Sequence, residues 1–394
     1  MTDIANYVGN VTEFPILSRI DFYNHAGVAP ISGRGANAIR RYAEQAESAA
    51  YVGAGWYREI EALRTGLAKL LNAEKEEIAL VKNTSEGIAI VARGVSWRAG
   101  DRIVTTNVEY PANIYPWMDV AKREGAELVM VEERSEVGGS QTQGQRSVRT
   151  VPREAILDAA SRPGTRMVAL SHAEFASGQR NDIATIGRFC RERGILFCVD
   201  AIQTLGIFPV DVKGMCIDYL SADGHKWLLG PEGAGVFYVR RELIEETHPP
   251  QVGWNNVVNA QDYGRYDFTF RPDAGRYESG SPNVPGFLAL RASLEMLMDV
   301  GVEAISSRIK ALTDRVAAGV EEKGYRVASP REGQAWSGAV VFASDRHDHA
   351  QLAAWLRKEK RIELAVREGR LRCSPHFYKT ESQIDRLVEA LPGH

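Results

Sequence analysis

Four cysteines in 394 residues, Cys190, Cys198, Cys216 and Cys373, are too few and too scattered for a disulfide framework. No pair has the C-x-x-C spacing of a thiolate metal site or a redox couple. Cys190 and Cys198 lie in apolar stretches, so buried free thiols in a reducing, cytoplasmic setting are expected. An excess of either charge is also missing. The net charge is -3 and the Lys and Arg residues are interspersed with Asp and Glu, which disfavours nucleic acid as a partner. There is no run of about 18 uncharged apolar residues, and Met1-Thr2-Asp3-Ile4 is not a basic stretch leading into an apolar one. Membrane insertion and secretion are disfavoured accordingly, and no internal repeat is visible.

What the chain does have is 44% hydrophobic residues, enough for a large core spread over two or three lobes. Helical patterns alternate with short β-branched runs: Glu59 to Leu71, Ile78 to Val81, Gly87 to Ala92, Arg102 to Thr105, Ala112 to Glu124, Glu127 to Val131, Met167 to Ser171, Ile183 to Arg193 and Leu196 to Val199. That order predicts βαβ units on a mainly parallel sheet. The polar segment Arg134 to Thr150 has neither period and reads as an exposed loop or ragged hairpin. Beyond Pro285 a long helix from Phe287 to Val300, continuing past Gly301, precedes strand, helix, strand and a last helix around Gln383 to Leu391. This part reads as a smaller lobe.

The chemistry concentrates at strand ends. Ile195-Leu196-Phe197-Cys198-Val199 is an apolar strand that ends in Asp200, and a carboxylate just past such a strand points into the ligand crevice of an α/β sheet. A second run, Ile217 to Ala222, leads to Asp223-Gly224-His225-Lys226 ahead of a glycine-rich turn. A lysine held there among apolar neighbours has a depressed pKa and a free amine able to form an imine. A buried carboxylate beside a pyridine nitrogen keeps that nitrogen protonated. Either residue alone is better explained by a structural role; together, and with the motifs that follow, they point to one crevice. Asn83-Thr84-Ser85-Glu86-Gly87, between a strand and a helix, is either a plain N-cap or a phosphate cradle, and its place after the first strand favours phosphate. Tyr110, in Glu109-Tyr110-Pro111-Ala112-Asn113, either belongs to a surface turn before an N-capped helix or is placed to stack on a flat ring.

These motifs, with Asp200-x-x-Gln203, Glu278-Ser279-Gly280-Ser281-Pro282-Asn283 and Arg372-Cys373-Ser374-Pro375-His376-Phe377-Tyr378, resemble the class V aminotransferase family over about Phe22 to Leu391. The resemblance implies an α/β protein of the fold type I pyridoxal-phosphate class, with a mainly parallel seven-stranded sheet and a smaller α+β C-terminal domain. The implied division is 1–20 as an N-terminal segment packing with the small domain, 21–284 as the cofactor-binding domain and 285–394 as the small one. It also implies pyridoxal 5'-phosphate as cofactor, an amino acid as substrate and a homodimer with shared active sites. Lys226 becomes the Schiff-base lysine, Asp200 the pyridinium partner, Gln203 a donor to the phenolic oxygen and Tyr110 the stacking ring. Thr84, Ser85 and His225 hold the phosphate, joined by Ser281 reaching into the neighbouring subunit. Arg372 grips the substrate carboxylate as a bidentate pair, under a loop that includes Asn24 and His25.

Three departures narrow the activity. No cysteine stands in Ala365-Val366-Arg367-Glu368-Gly369-Arg370-Leu371, where persulfide-forming desulfurases carry their nucleophile. Glu174-Phe175 replaces an asparagine found over the ring in relatives. Asp223 replaces a serine; it repels a phosphate dianion and is expected to orient His225 or another cation at the cofactor site. Transamination is the first expectation, with a C–S or C–Se β-lyase as the alternative, an epimerase third and a non-enzymatic relative disfavoured by the joint presence of Lys226 and Asp200. Gly33-Arg34-Gly35-Ala36-Asn37-Ala38 matches a dinucleotide fingerprint but follows a proline-containing loop rather than a strand. His347-Asp348-His349 reads as the start of a solvated helix and not as a metal site. Tyr263, Tyr266, Phe268 and Phe270 are assigned mainly to dimer packing.

Overall fold

The computed structural model describes residues 3–137 and 147–393. Seven strands form the large sheet: β1 (Ile78–Val81), β2 (Arg102–Thr106), β3 (Glu127–Val131), β4 (Thr165–Ser171), β5 (Leu196–Asp200), β6 (Tyr219–Asp223) and β7 (Gly235–Val239). They lie in the order β1-β7-β6-β5-β4-β2-β3. Strand β7 runs antiparallel to β1 and β6, and the other neighbours are parallel. The expected mainly parallel seven-stranded sheet is therefore present.

Alternation along the strands sends side chains to two cores. On one face Val168, Leu170, Phe197, Val199, Leu220 and Val236 meet Leu63 and Leu67 of α2 (Trp56–Leu71), and Ile183 and Ile186 of α6 (Ile183–Glu192). On the other face Met167, Ala169, Cys198, Tyr219 and Phe237 meet Ile88 and Val91 of α3 (Thr84–Gly94), with Trp117 and Val120 of α4 (Tyr115–Glu124). Burial on both faces is why these strands read as unbroken apolar runs. Gly87 lets α3 cross β6: a Cβ there would stand 2.2 Å from Ser221 Oγ.

A second, antiparallel sheet has the order β8-β9-β11-β10, built from β8 (Arg326–Val327), β9 (Val340–Ala343), β10 (Ala365–Arg367) and β11 (Arg370–Cys373). Its core takes in Tyr23, Leu312, Val316, Val340, Phe342, Leu371, Ile384 and Leu387. The N-terminal stretch packs nearby, with the Phe14 ring stacked on Tyr378 at 3.8 Å and Gly9 N donating to Tyr378 O.

Several expectations change. The helix expected to continue past Gly301 is two, α7 (Val284–Val300) and α8 (Val302–Glu322), because Gly301 sits at φ +91° and ends the first. Four strands form the small sheet where two were expected; β8 and β10 are too short to show a period. The Gly33 motif is no cofactor loop: it opens α1 (Gly33–Ala49), with Ser32 Oγ accepting from Gly35 N as an N-cap. Asp348 caps α9 (His349–Trp355) in the same way. Arg134–Val137 and Ser147–Thr150 pair as an antiparallel hairpin, while 138–146 lie outside the described residues. No helix among the described residues is long and apolar enough to cross a membrane. The three-part division of the chain stays a proposal; α7 packs its Leu290, Leu294 and Leu297 into the large core, which favours a boundary nearer Gly301 than 284.

Candidate active site

Strands β5 and β6 run side by side, so their C-terminal ends bring Asp200 and the Asp223-to-Lys226 turn to one edge of the sheet. Asp200 is buried and its Oδ1 accepts from Ile202 N at 2.9 Å. Burial pushes its carboxyl up to about 6, against the pull of that amide and of the Lys226 charge. Lys226 is 8% exposed. Desolvation brings its amine down to about 8; Asp200 opposes the shift and the charges of Arg372 and Arg367 add to it. Neither residue has a salt-bridge partner among the described residues. The turn after the lysine holds Leu229 at φ +56°, a left-handed conformation seldom kept by a branched residue without surrounding support.

The Thr84 hydroxyl accepts from Asp223 N at 3.0 Å, which ties the start of α3 to the end of β6. Thr84 and Ser85 are the first two helical residues, one turn earlier than the sequence pattern suggested, and their N–H groups belong to the donor-rich helix end. Asn83 accepts from Glu86 N as the cap. His225 Nδ1 stands 2.9 Å from Asp223 Oδ2, out of line for a hydrogen bond, while Asp223 Oδ1 accepts from Gly224 N. Asp223 thus faces His225 without a hydrogen bond to it. Tyr110 is half-exposed, with its ring centroid 5.7 Å from Lys226 Nζ and its ring nearly perpendicular to that of Phe175.

Arg372 comes to the same place from β11 of the small sheet. Its side chain is 1% exposed, Nη1 donates to Phe175 O at 2.6 Å and Nη2 to Asn24 Oδ1 at 3.2 Å. Its Nε has no partner, and no carboxylate pairs with it among the described residues. Burial, then Arg367, brings its guanidinium down to about 9. An orphaned buried N–H on an uncompensated cation is the complement of a carboxylate ligand.

Not every expected residue converges. His25 is fully buried and both ring nitrogens are engaged, Nδ1 with Ser374 O and Nε2 with Tyr378 OH, so it has no nitrogen left for a substrate. Gln203 gives one amide hydrogen to Ala26 O and accepts from Trp227 Nε1, leaving a single hydrogen for any other acceptor. Ser281 is exposed ahead of α7. Tyr263, Tyr266 and Phe268 are largely exposed and line a cavity of about 330 Å³ on their own loop rather than the edge that carries Lys226.

The sequence reading gave no role to Glu109 and Glu174, which are buried beside Asp200. Glu109 accepts from Ser171 N, Ser171 Oγ and Asn113 Nδ2, yet burial still lifts it to about 7. Glu174 is raised as well by burial, and its Oε2 has no partner. A charged residue inside an otherwise apolar or small-residue strand exit was the only available sign of either.

The class-V aminotransferase family model matches residues 34–387. The chain belongs to that family. It is thereby one of the pyridoxal 5'-phosphate enzymes of fold type I, and the pieces above fit the cofactor: an unpaired buried carboxylate for a pyridinium, a lysine of lowered pKa for an aldehyde and a helix N-terminus for a phosphate. A probable cysteine desulfurase of Pyrococcus abyssi is 29% identical over 85% of this chain and 82% of its own length. An uncharacterized aminotransferase of Bacillus subtilis is 27% identical over 88% and 87%. Among solved structures, a cystine C–S lyase in complex with its product cysteine persulfide superposes with a TM-score of 0.84 at 25% identity, over 97% of this chain and all of that one. The apo cysteine desulfurase of Thermococcus onnurineus has a TM-score of 0.84 at 23% identity, over 99% and 97%, a likeness of fold alone.

Proposed function

We propose that this protein is a lyase that breaks the Cβ–S or Cβ–Se bond of a cysteine-like amino acid without a protein persulfide. The comparisons favour this alternative over the transamination first expected, since the relatives named for an activity are mostly sulfur enzymes. The observation that carries it is the turn between β10 and β11. Glu368 and Gly369 close it directly, with no thiol, beside an intact set of Lys226, Asp200 and Arg372. The other thiols do not substitute: Cys198 and Cys373 are buried with pKa values pushed up by desolvation, Cys190 likewise to about 12, and Cys216 precedes β6, at the opposite end of that strand from Lys226.

Lys226 would hold the cofactor through its amine, Asp200 its ring nitrogen, and Thr84, Ser85 and His225 its phosphate, with Asp223 orienting His225. Tyr110 would cover the ring and Gln203 spend its remaining hydrogen on the phenolic oxygen. When bound, the cofactor supplies an electron sink for charge left at the substrate Cα. Arg372, supported by Phe175 O and Asn24, fixes the α-carboxylate, while His25 supports the Asn24 loop from beneath. The lowered pKa of Lys226 leaves part of its amine neutral near pH 7, ready to take the Cα proton. The Cβ–S bond then breaks with its electron pair on sulfur, and the 2-aminoacrylate released hydrolyses to pyruvate and ammonium. A homodimer belongs to the proposal: the exposed Tyr266, Phe268 and Tyr263 form an apolar patch suited to a second copy, and Ser281 is free to reach it.

The test is pyruvate and ammonium production from cysteine, cystine and selenocysteine with no keto acid present. Equal yields of both products support elimination. Turnover that requires an added keto acid would sink the lyase reading in favour of transamination.

A further inference from the structure

One cation near Lys226 has no task in the scheme above. In the β10–β11 pair Ala365 lies opposite Arg372, Val366 opposite Leu371 and Arg367 opposite Arg370. Directly opposed residues share a face of the sheet, as do residues two apart on one strand. Arg367, Arg370 and Arg372 therefore stand on one face, while Leu371 and Val366 turn to the core of the small sheet. The three arginines are not equally matched. Arg370 has Glu368 at 2.7 Å. Arg372 has two neutral oxygens and no acid. Arg367, half-buried, has the carbonyl of Val366 at 2.8 Å and no acidic partner among the described residues.

Arg367 is near enough to both Lys226 and Arg372 for its charge to disfavour protonation of each. Three cations thus converge, offset at Lys226 by Asp200 and Asp223 and at Arg372 by no carboxylate. Like charges held together without counter-ions cost energy, and a ligand bearing anions relieves that cost. One α-carboxylate is satisfied by the fork of one guanidinium. Arg367 and Arg372 occupy diagonal positions across the pair, roughly 7–8 Å apart at the backbone, so a second guanidinium calls for a second anion.

We propose that Arg367 is a specificity residue that selects amino acids with an anionic group on the side chain, a carboxylate, sulfinate or sulfonate, in addition to the α-carboxylate held by Arg372. This rests on the reading of Arg372 as the carboxylate anchor, but not on elimination over transamination.

The experiment is isothermal titration of the cofactor-loaded protein with succinate, a dianion, and with butyrate, a monoanion, which need no turnover. In Arg367→Gln succinate binding is expected to weaken by about 10- to 100-fold, with butyrate binding unchanged and Arg367→Lys recovering part of the loss. In Arg372→Gln both ligands weaken. In parallel, Arg367→Gln lowers kcat/KM for cysteine sulfinate and spares S-methylcysteine. Equal weakening of succinate and butyrate in Arg367→Gln would mean that both arginines share one carboxylate, and no change in either would remove Arg367 from the site; each overturns the proposal. Unchanged binding of both ligands in Arg372→Gln would instead overturn the anchor itself.

Discussion

Arg64 and Arg372 are both buried guanidiniums, one on each side of the molecule's division of labour. Arg64 donates to both oxygens of Glu278, to Glu61 and to Ile78 O, and these partners raise its pKa despite burial. Arg372 is buried more deeply, has only two neutral oxygens and one orphaned N–H, and its pKa falls. The same contrast divides the acids: Asp218 at the base of β6 is paired with Arg240 and Arg191, whereas Asp200 at the end of β5 has no such pair. A buried charge that is satisfied within the chain holds the fold, and one that is left open marks where a ligand completes it.

Four substitutions put that contrast at risk. Lys226→Ala removes the lysine proposed as cofactor anchor and proton acceptor, and turnover should fall by about 10⁴-fold or more, with no absorption band that borohydride abolishes; measurable activity at a tenth of the parent would place the chemistry elsewhere. Glu278→Ala strips the partner from a structural ion, and urea unfolding should show a loss of about 3–5 kcal/mol with kcat per folded molecule preserved. Arg372→Gln should do the reverse, raising KM by about 10- to 100-fold at little cost in unfolding free energy. A large drop in stability there would show that Arg372 is as structural as Arg64.

The smallest effect is one of slope. Asp200 has a folded pKa of about 6, above its unfolded value, so the folded, cofactor-free chain binds the extra proton and loses stability as pH rises from about 4 to 6. Lys226 has a folded pKa of about 8, below its unfolded value, so its contribution rises as pH climbs from about 8 to 10.5. Each slope is at most about 1.4 kcal/mol per pH unit. Asp200→Asn should abolish the first and raise the melting temperature of the cofactor-free protein at pH 8. A parent and variant with parallel profiles would show that Asp200 is already compensated.

Much of the large sheet was legible because its strands are buried on both faces and bounded by turns. Ile78 to Val81 and Glu127 to Val131 have the expected ends, and Asp200 and Lys226 stand at the exits of the two runs that predicted them. Strand β7 was not, since Gly235 opens it and read as part of a glycine-rich turn. The start of α3 was placed late because Thr84 and Ser85 look like cap residues, although Asn83 is the cap. His25 illustrates a limit of motif reading: its position beside Asn24 was legible, but that Tyr378 and Ser374 consume both its nitrogens depends on contacts across some 350 residues of chain.

By itself the sequence determined the fold class and, through the family its motifs resemble, the cofactor, and it set Asp200 and Lys226 at two strand exits, because strands, turns and motifs are local patterns. Only the tertiary structure decided which ions are left without partners. Arg64 and Arg372 are the same residue type, each within a stretch rich in apolar and charged side chains. What separates them is whether Glu278 or only the neutral oxygens of Phe175 and Asn24 face the guanidinium, and that depends on how segments far apart in sequence are brought together.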